Sequence, residues 1–137
     1  MSNVTEGVEN ALGADNSNPV LIILFIPTQD RSSKPLPDAK MWLNAGISLL
    51  SDLFGGATVM TAQGCWSNPK TSEIVMEDVY LIHSYVSVVD AKNIHNFWKL
   101  GNFLHRMGTK ANQGEIGVVV DQVFHRITNY RKVDAAE

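Results

Sequence analysis

The sequence predicts a single α+β domain whose strands and helices follow the order β-α-β-β-α-β. Residues 20–26 are seven consecutive apolar residues, which is typical of a buried strand. Residues 38–55 and 90–108 repeat apolar side chains with the period of an amphipathic helix. Residues 58–63 and 74–86 are rich in strand-forming residues and are joined by a polar segment, as in a β-hairpin.

The length and composition favour one domain with polar ends. With 137 residues, of which 45% are hydrophobic, the chain is long enough for one core and short for two domains. We assign residues 1–19 to a flexible N-terminal tail, residues 20–127 to the single domain, and residues 128–137 to a C-terminal tail. A short helix formed on assembly is the alternative for the first segment.

Charge and cysteine content narrow the function classes. A net charge of −3 gives no basic footprint for nucleic acid or for an anionic membrane surface. The longest apolar run is too short to cross a bilayer, and the N-terminus lacks the apolar region of a signal peptide. A single cysteine excludes an intrachain disulfide and indicates a reducing, cytoplasmic setting. We therefore expect no nucleic-acid partner, no membrane partner and no cofactor.

Each helix and the last strand have boundary signals. The first helix is predicted to begin at Asp38 and to end at Gly55, where Gly55-Gly56 is better explained as a helix end than as a phosphate loop. The second is predicted to begin with Asp90 as its N-cap, to bury Trp98 among other apolar residues, and to end at Gly108. Residues 116–127 are predicted as one final strand with a bulge at Gly117.

This order of elements corresponds to the ferredoxin-like arrangement, a four-stranded antiparallel sheet in the order 4-1-3-2 with two helices on one face. An antiparallel sheet with one face in water alternates apolar and polar residues. Residues 20–26 are apolar at every position, and residues 74–86 carry apolar residues on both faces. The sequence therefore predicts that copies of the chain assemble through the face that the helices leave open.

Glu77 is the least expected residue of the predicted hairpin. It lies in an otherwise apolar strand, where an unpaired carboxylate is costly to bury. One interpretation is a structural ion pair with Lys70, Lys99 or Arg106. The other is a carboxylate that binds a cationic group of a ligand.

Other polar and aromatic residues also have two interpretations. Trp66 either packs at the end of the hairpin or stacks on a heterocycle or a cation. Asn112 and Gln113 either cap the loop before the last strand or bind the polar edge of a ligand. The four histidines lack metal-ligand spacing, and Cys65 lacks a readable catalytic partner, so neither a metal site nor a catalytic thiol is predicted.

These residues also carry a resemblance. The run Thr58-Val-Met-Thr-Ala-Gln-Gly-Cys-Trp66, Glu77 eleven residues after the tryptophan, and Asn112-Gln113 before an apolar strand resemble small ferredoxin-like proteins with no assigned function. More distantly, the pattern resembles the phage-encoded S-adenosylmethionine lyases. Those enzymes have a Gly-x-aromatic turn, a glutamate eleven residues later, and a glutamine-acidic pair that opens the last strand. They are trimers, related in shape to the PII signalling proteins, with active sites between subunits.

The resemblance implies roles for individual residues. Trp66 and Glu77 would be catalytic, although the lyases have tyrosine at the position of Trp66. Gln113, Asn112 and Glu115 would bind the ligand, with Glu115 one place after the expected acidic position. The implied function is a homotrimer that converts S-adenosylmethionine to methylthioadenosine and homoserine lactone. The alternative is a non-catalytic protein, either a PII-like small-molecule sensor or a phage or mobile-element protein that binds a host factor.

Overall fold

A computed structural model describes residues 3–133 of the chain. It contains four helices and five strands within those residues: α1 (Asn3–Leu12), β1 (Val20–Pro27), α2 (Ala39–Phe54), β2 (Thr58–Ser67), β3 (Ile74–Val86), α3 (Val88–Lys92), α4 (Ile94–Lys110), β4 (Ile116–Val120) and β5 (Val123–Ile127). No helix among the described residues is long and apolar enough to cross a membrane.

The strands form one antiparallel sheet in the order β2-β3-β1-β4-β5. The prediction of four strands is wrong, because the segment expected as one last strand folds back on itself. Asp121 and Gln122 both have positive φ angles, 50° and 71°, and form a two-residue turn between β4 and β5. Such turns usually contain Asn or Gly, so the Asp-Gln pair gives no recognisable turn signal.

Gly117 is not the predicted bulge but a regular member of β4, paired with Arg126. The ring of Phe124 lies over it. A Cβ added at Gly117 would lie 2.5 Å from Cε1 of that ring. Glycine is present here because the aromatic side chain needs the space.

The helix α2 follows the prediction closely. It begins after Asp38, whose side chain makes no capping hydrogen bond, and it ends at Gly55 with a φ of 93°. Such a left-handed residue is accessible to glycine without steric cost, which is why the end was recognisable in the sequence.

The second predicted helix is two helices, and its predicted N-cap is wrong. Ser87 caps α3 by accepting a hydrogen bond at 3.1 Å from the backbone N–H of Asp90, which lies inside that helix. Asn93 then caps α4 by accepting from the backbone N–H of His95. Trp98 is 57% exposed and does not join the core as predicted.

Both ends of the chain differ in appearance from simple tails. Residues 3–12 form the helix α1, whose apolar side chains are exposed. After β5, Tyr130 packs on α4 where Gly108 leaves room for its ring, and the backbone N–H of Arg131 donates to His105 Nδ1. Residues 1–2 and 134–137 of the predicted tails lie outside the described residues. The domain boundaries themselves stay a prediction.

The helices cover one face of the sheet. Ile22, Leu24 and Ile26 of β1 and Ile82 of β3 have no exposed surface, and they pack with α2 and α4 residues in the main core. Because strand residues alternate between faces, Ile23 and Leu81 lie on the opposite face. We call this opposite side the open face, and its residues remain partly accessible in the isolated chain.

Candidate functional site

A cavity of about 470 Å³ lies where three segments meet. They are the loop after β1, the ends of β2 and β3 beside their connecting turn, and the loop that enters β4. The described residues that line it are Gln29, Asp30, Arg31, Ser33, Trp66, Val75, Glu77, Gln113, Gly114 and Glu115. Four of the five predicted site residues therefore come together, and Asn112 is not among the lining residues.

The register of the β2-β3 hairpin places Trp66 beside Glu77. Trp66 pairs with Val75 and Gly64 pairs with Glu77, so all four residues lie on the open face. Diagonal neighbours of this kind lie about 7–8 Å apart at Cα, within reach of an aromatic side chain. Because Gly64 has no side chain, nothing from the opposite strand covers the carboxylate of Glu77.

Glu77 is half-buried and has no side-chain hydrogen bond or ion pair among the described residues. Burial alone raises the pKa of this carboxyl above its ordinary value of 4.5. The interpretation as a structural ion pair thus finds no partner in residues 3–133. A half-buried carboxylate without a partner, facing a cavity, has the properties of a group that meets a cationic ligand.

Gln113 holds the cavity together through its backbone and its side chain. It is 8% exposed, and its Nε2 donates to the carbonyl oxygens of Gln29 at 2.7 Å and Ala111 at 3.0 Å. Its own carbonyl oxygen accepts from Arg31 Nη2 at 2.7 Å and from the Tyr130 hydroxyl at 2.9 Å. The two amide hydrogens are thus engaged, and the side-chain oxygen is what remains for a ligand.

Asn112 acts on the loop after β1 from outside the cavity. It has a φ of 52°, and its carbonyl oxygen accepts from the backbone N–H of Arg31 at 2.9 Å. The pKa of Asp30 is lowered chiefly by the backbone N–H of Lys34, with smaller contributions that include the Asn112 side chain. Asp30 is thereby occupied with its own loop.

Glu115 lines the cavity and forms an ion pair with Arg126 of β5. Both side chains are largely accessible to solvent, so the pair contributes little to stability, about 0–1 kcal/mol. Its carboxylate is nevertheless already neutralised by a cation of the same chain.

The sequence pattern did not identify the residues of the loop after β1. This segment was predicted only as a flexible loop, yet it supplies Gln29, Asp30, Arg31 and Ser33 to the cavity. The one available signal was its position directly after the central strand, where loops often carry binding residues.

Metal and thiol chemistry find no support in the part of the chain that is described. No group of three or more His, Cys, Asp or Glu within residues 3–133 is placed to hold a metal ion. Cys65 is exposed and, as the neighbour of Trp66 in β2, lies on the other side of the sheet from the cavity.

The fold and the cavity define a small α+β protein with a site of ligand size at the end of its sheet. No protein-family model matches the chain, and a search of curated proteins finds no significant match. Among solved structures, the chain is similar to a phage S-adenosylmethionine lyase in complex with S-methyl-5′-thioadenosine. The TM-score is 0.56 at 13% identity, over 83% of this chain and 92% of that chain.

A phage S-adenosylmethionine lyase in its apo state gives the same TM-score of 0.56 at 12% identity, over 82% of this chain and 91% of that chain. At such identities the likeness establishes the fold. The distant resemblance to phage S-adenosylmethionine lyases, predicted from Trp66, Glu77 and Gln113, is confirmed by these structures.

Proposed function

We propose that this protein is a lyase that converts S-adenosylmethionine to methylthioadenosine and homoserine lactone. One observation carries the proposal: Trp66, Glu77, Gln113 and Glu115, which are far apart in the sequence, line one cavity in a fold similar to that of phage S-adenosylmethionine lyases. One of those lyase structures contains methylthioadenosine, the expected product.

The reaction needs position more than acid-base chemistry. A carboxylate oxygen of the substrate attacks its own Cγ, the carbon-sulfur bond breaks, and the bonding electron pair moves to sulfur. The sulfonium and the carboxylate lose their charges together, so a cavity with apolar walls such as Trp66 and Val75 favours the transition state over the charged substrate. No proton has to be transferred in this step.

Each predicted site residue has a role in this reaction. Trp66 contacts the sulfonium by a cation-π interaction or stacks on the adenine. Glu77 accepts hydrogen bonds from the substrate ammonium, for which it has no competing partner among the described residues. Gln113 binds the polar edge of the ligand with its free side-chain oxygen, while Asn112 and Glu115 support the loop and the rim.

We further propose that the active form is a homotrimer of ferredoxin-like domains spanning residues 20–127, assembled in the cytoplasm through the open face. The support is that this face is apolar and incompletely covered, with Ile23, Phe25, Met60 and Leu81 on it. Trp66 lies at its end and is 49% exposed, as expected for a site completed by a neighbouring subunit. Light scattering should give three times 15.1 kDa, about 45 kDa, and a stable 15.1 kDa species at micromolar concentration would contradict the assembly.

Incubation with S-adenosylmethionine followed by chromatography tests the activity. We expect equal amounts of methylthioadenosine and homoserine lactone, well above a protein-free sample that measures spontaneous lysis. Glu77→Gln is expected to lower this rate. Binding of S-adenosylmethionine without products would favour the alternative of a PII-like ligand-binding protein. No products and no thermal shift would leave the phage or mobile-element interaction protein as the alternative.

A further inference from the structure

We propose that Arg31 forms an anion-binding subsite that takes the carboxylate of a zwitterionic amino-acid ligand, while Glu77 takes its ammonium in the same cavity. The inference rests on the proposed function and adds to it a residue that selects the substrate. It follows from the charges that line the cavity and from the way in which Arg31 is held.

The charges of the cavity reduce to one unpaired cation and one unpaired carboxylate. Its described lining contains four ionisable residues, Asp30, Arg31, Glu77 and Glu115. Asp30 Oδ1 accepts from the backbone N–H groups of Ser32 at 2.7 Å and Lys34 at 3.1 Å. Glu115 is paired with Arg126. Within residues 3–133, Arg31 and Glu77 form no ion pair, so a ligand with one group of each sign is complementary to the cavity.

Arg31 is held in place before a ligand arrives. Its backbone N–H donates to Asn112, and its Nη2 donates to the carbonyl oxygen of Gln113. Gln113 is itself fixed by bonds to Gln29 and Tyr130. A guanidinium has five N–H donors in a rigid fork, and only one is used by Gln113, so donors remain for a carboxylate. Ordering the side chain in advance lowers the entropy cost of binding.

The rival explanation is that Arg31 only ties the two loops together. The hydroxyl of Tyr130 makes a second, uncharged bond to the same carbonyl oxygen of Gln113. Tyr130→Phe therefore loosens this contact without changing the charge of the cavity. It serves as the matched control for Arg31→Gln, which removes the charge.

Binding of two probes distinguishes the explanations. The first is S-adenosylmethionine, and the second is its decarboxylated analogue, which keeps the ammonium and the sulfonium. We expect wild type and Tyr130→Phe to prefer the carboxylate-bearing probe by about tenfold, the size of one hydrogen bond to a charged group. Arg31→Gln should abolish this preference, and Arg31→Lys should retain part of it. Methylthioadenosine, which lacks both charged groups, should bind wild type and Arg31→Gln equally, and this also verifies that the variant is folded.

Each outcome decides one of the two proposals. Equal binding of the two probes by wild type, or an unchanged preference in Arg31→Gln, would overturn the anion subsite even if wild type forms products. A preference that depends on Arg31 without formation of methylthioadenosine would support the subsite and contradict the lyase activity. Wild type that binds neither probe would overturn both.

Discussion

The two faces of the sheet have similar sequences and different surroundings. On the covered face, Ile22 and Ile82 are completely buried under the helices. On the open face, their neighbours Ile23 and Leu81 are equally apolar but stay partly accessible. An apolar strand pattern thus requires burial on both sides, whereas this chain covers only one of them.

The polar residues of β3 differ in the same way. Ser84 lies on the covered face, is 3% exposed, and its hydroxyl donates to the carbonyl oxygen of Gly56 at 2.8 Å. Glu77 lies on the open face and has no partner among the described residues. Buried polar groups in a finished core are hydrogen-bonded, as Ser84 is. The unpartnered Glu77 indicates that the open face is the side where something else binds.

Assembly through the open face provides the largest expected effect. Leu81→Lys places a charge in the middle of this face, where burial without a partner is strongly unfavourable. We expect the mass measured by light scattering to fall to that of one chain while circular dichroism remains unchanged. Val89→Lys, on an exposed position of α3, is the control and should leave the mass unchanged. Equal masses for both variants would remove the open face from the interface.

Removal of core volume on the covered face should have the next largest effect. Ile82 has no exposed surface, and its Cδ1 lies 2.7 Å from the position of a Cβ added at Gly46 of α2. Ile82→Ala is expected to lower the free energy of unfolding by about 2–5 kcal/mol. Ile74→Ala, at an exposed position of the same strand, should change it by less than about 0.5 kcal/mol. Urea unfolding measures both, and similar losses would mean that the core is misplaced.

Glu77→Gln should have a smaller effect that depends on pH. Because burial raises the pKa of Glu77, the folded protein holds its proton to a higher pH than the unfolded chain. Wild type therefore loses stability as the pH rises from the ordinary Glu value of 4.5 through the folded pKa, and the variant does not. We expect the Tm of Glu77→Gln to equal or exceed that of wild type at pH 7, with the two values converging near pH 4. A fall of about ten degrees in the variant at pH 7 would instead identify a buried ion pair.

The smallest effect concerns the turn that created the fifth strand. Asp121 and Gln122 adopt left-handed conformations that Asn and Gly adopt at lower cost. The double substitution Asp121→Asn, Gln122→Gly should raise the free energy of unfolding by roughly 0.5–1 kcal/mol. Gln122→Ala keeps the strained backbone and should give no gain. A double variant that melts below wild type would contradict the two-residue turn.

This turn also marks where prediction from the sequence ends. Gly55 was recognisable because a left-handed helix end is specific to glycine, whereas the Asp-Gln turn has no such signature. Trp66 and Glu77 were predicted as a pair because strand spacing places them on one face. Arg31 was missed because its position depends on backbone carbonyls of Asn112 and Gln113, which carry no information in residue identity.

The central claim is that the cavity at the end of the open face binds the ligand, and tryptophan fluorescence tests it most directly. Trp66 lines the cavity, and Trp98 is similarly exposed on α4 but lies outside the cavity's described lining. Titration of wild type with S-adenosylmethionine should change the emission, the change should disappear in Trp66→Phe, and it should persist in Trp98→Phe. A signal that survives in Trp66→Phe and disappears in Trp98→Phe, or no change in wild type at all, would contradict the claim.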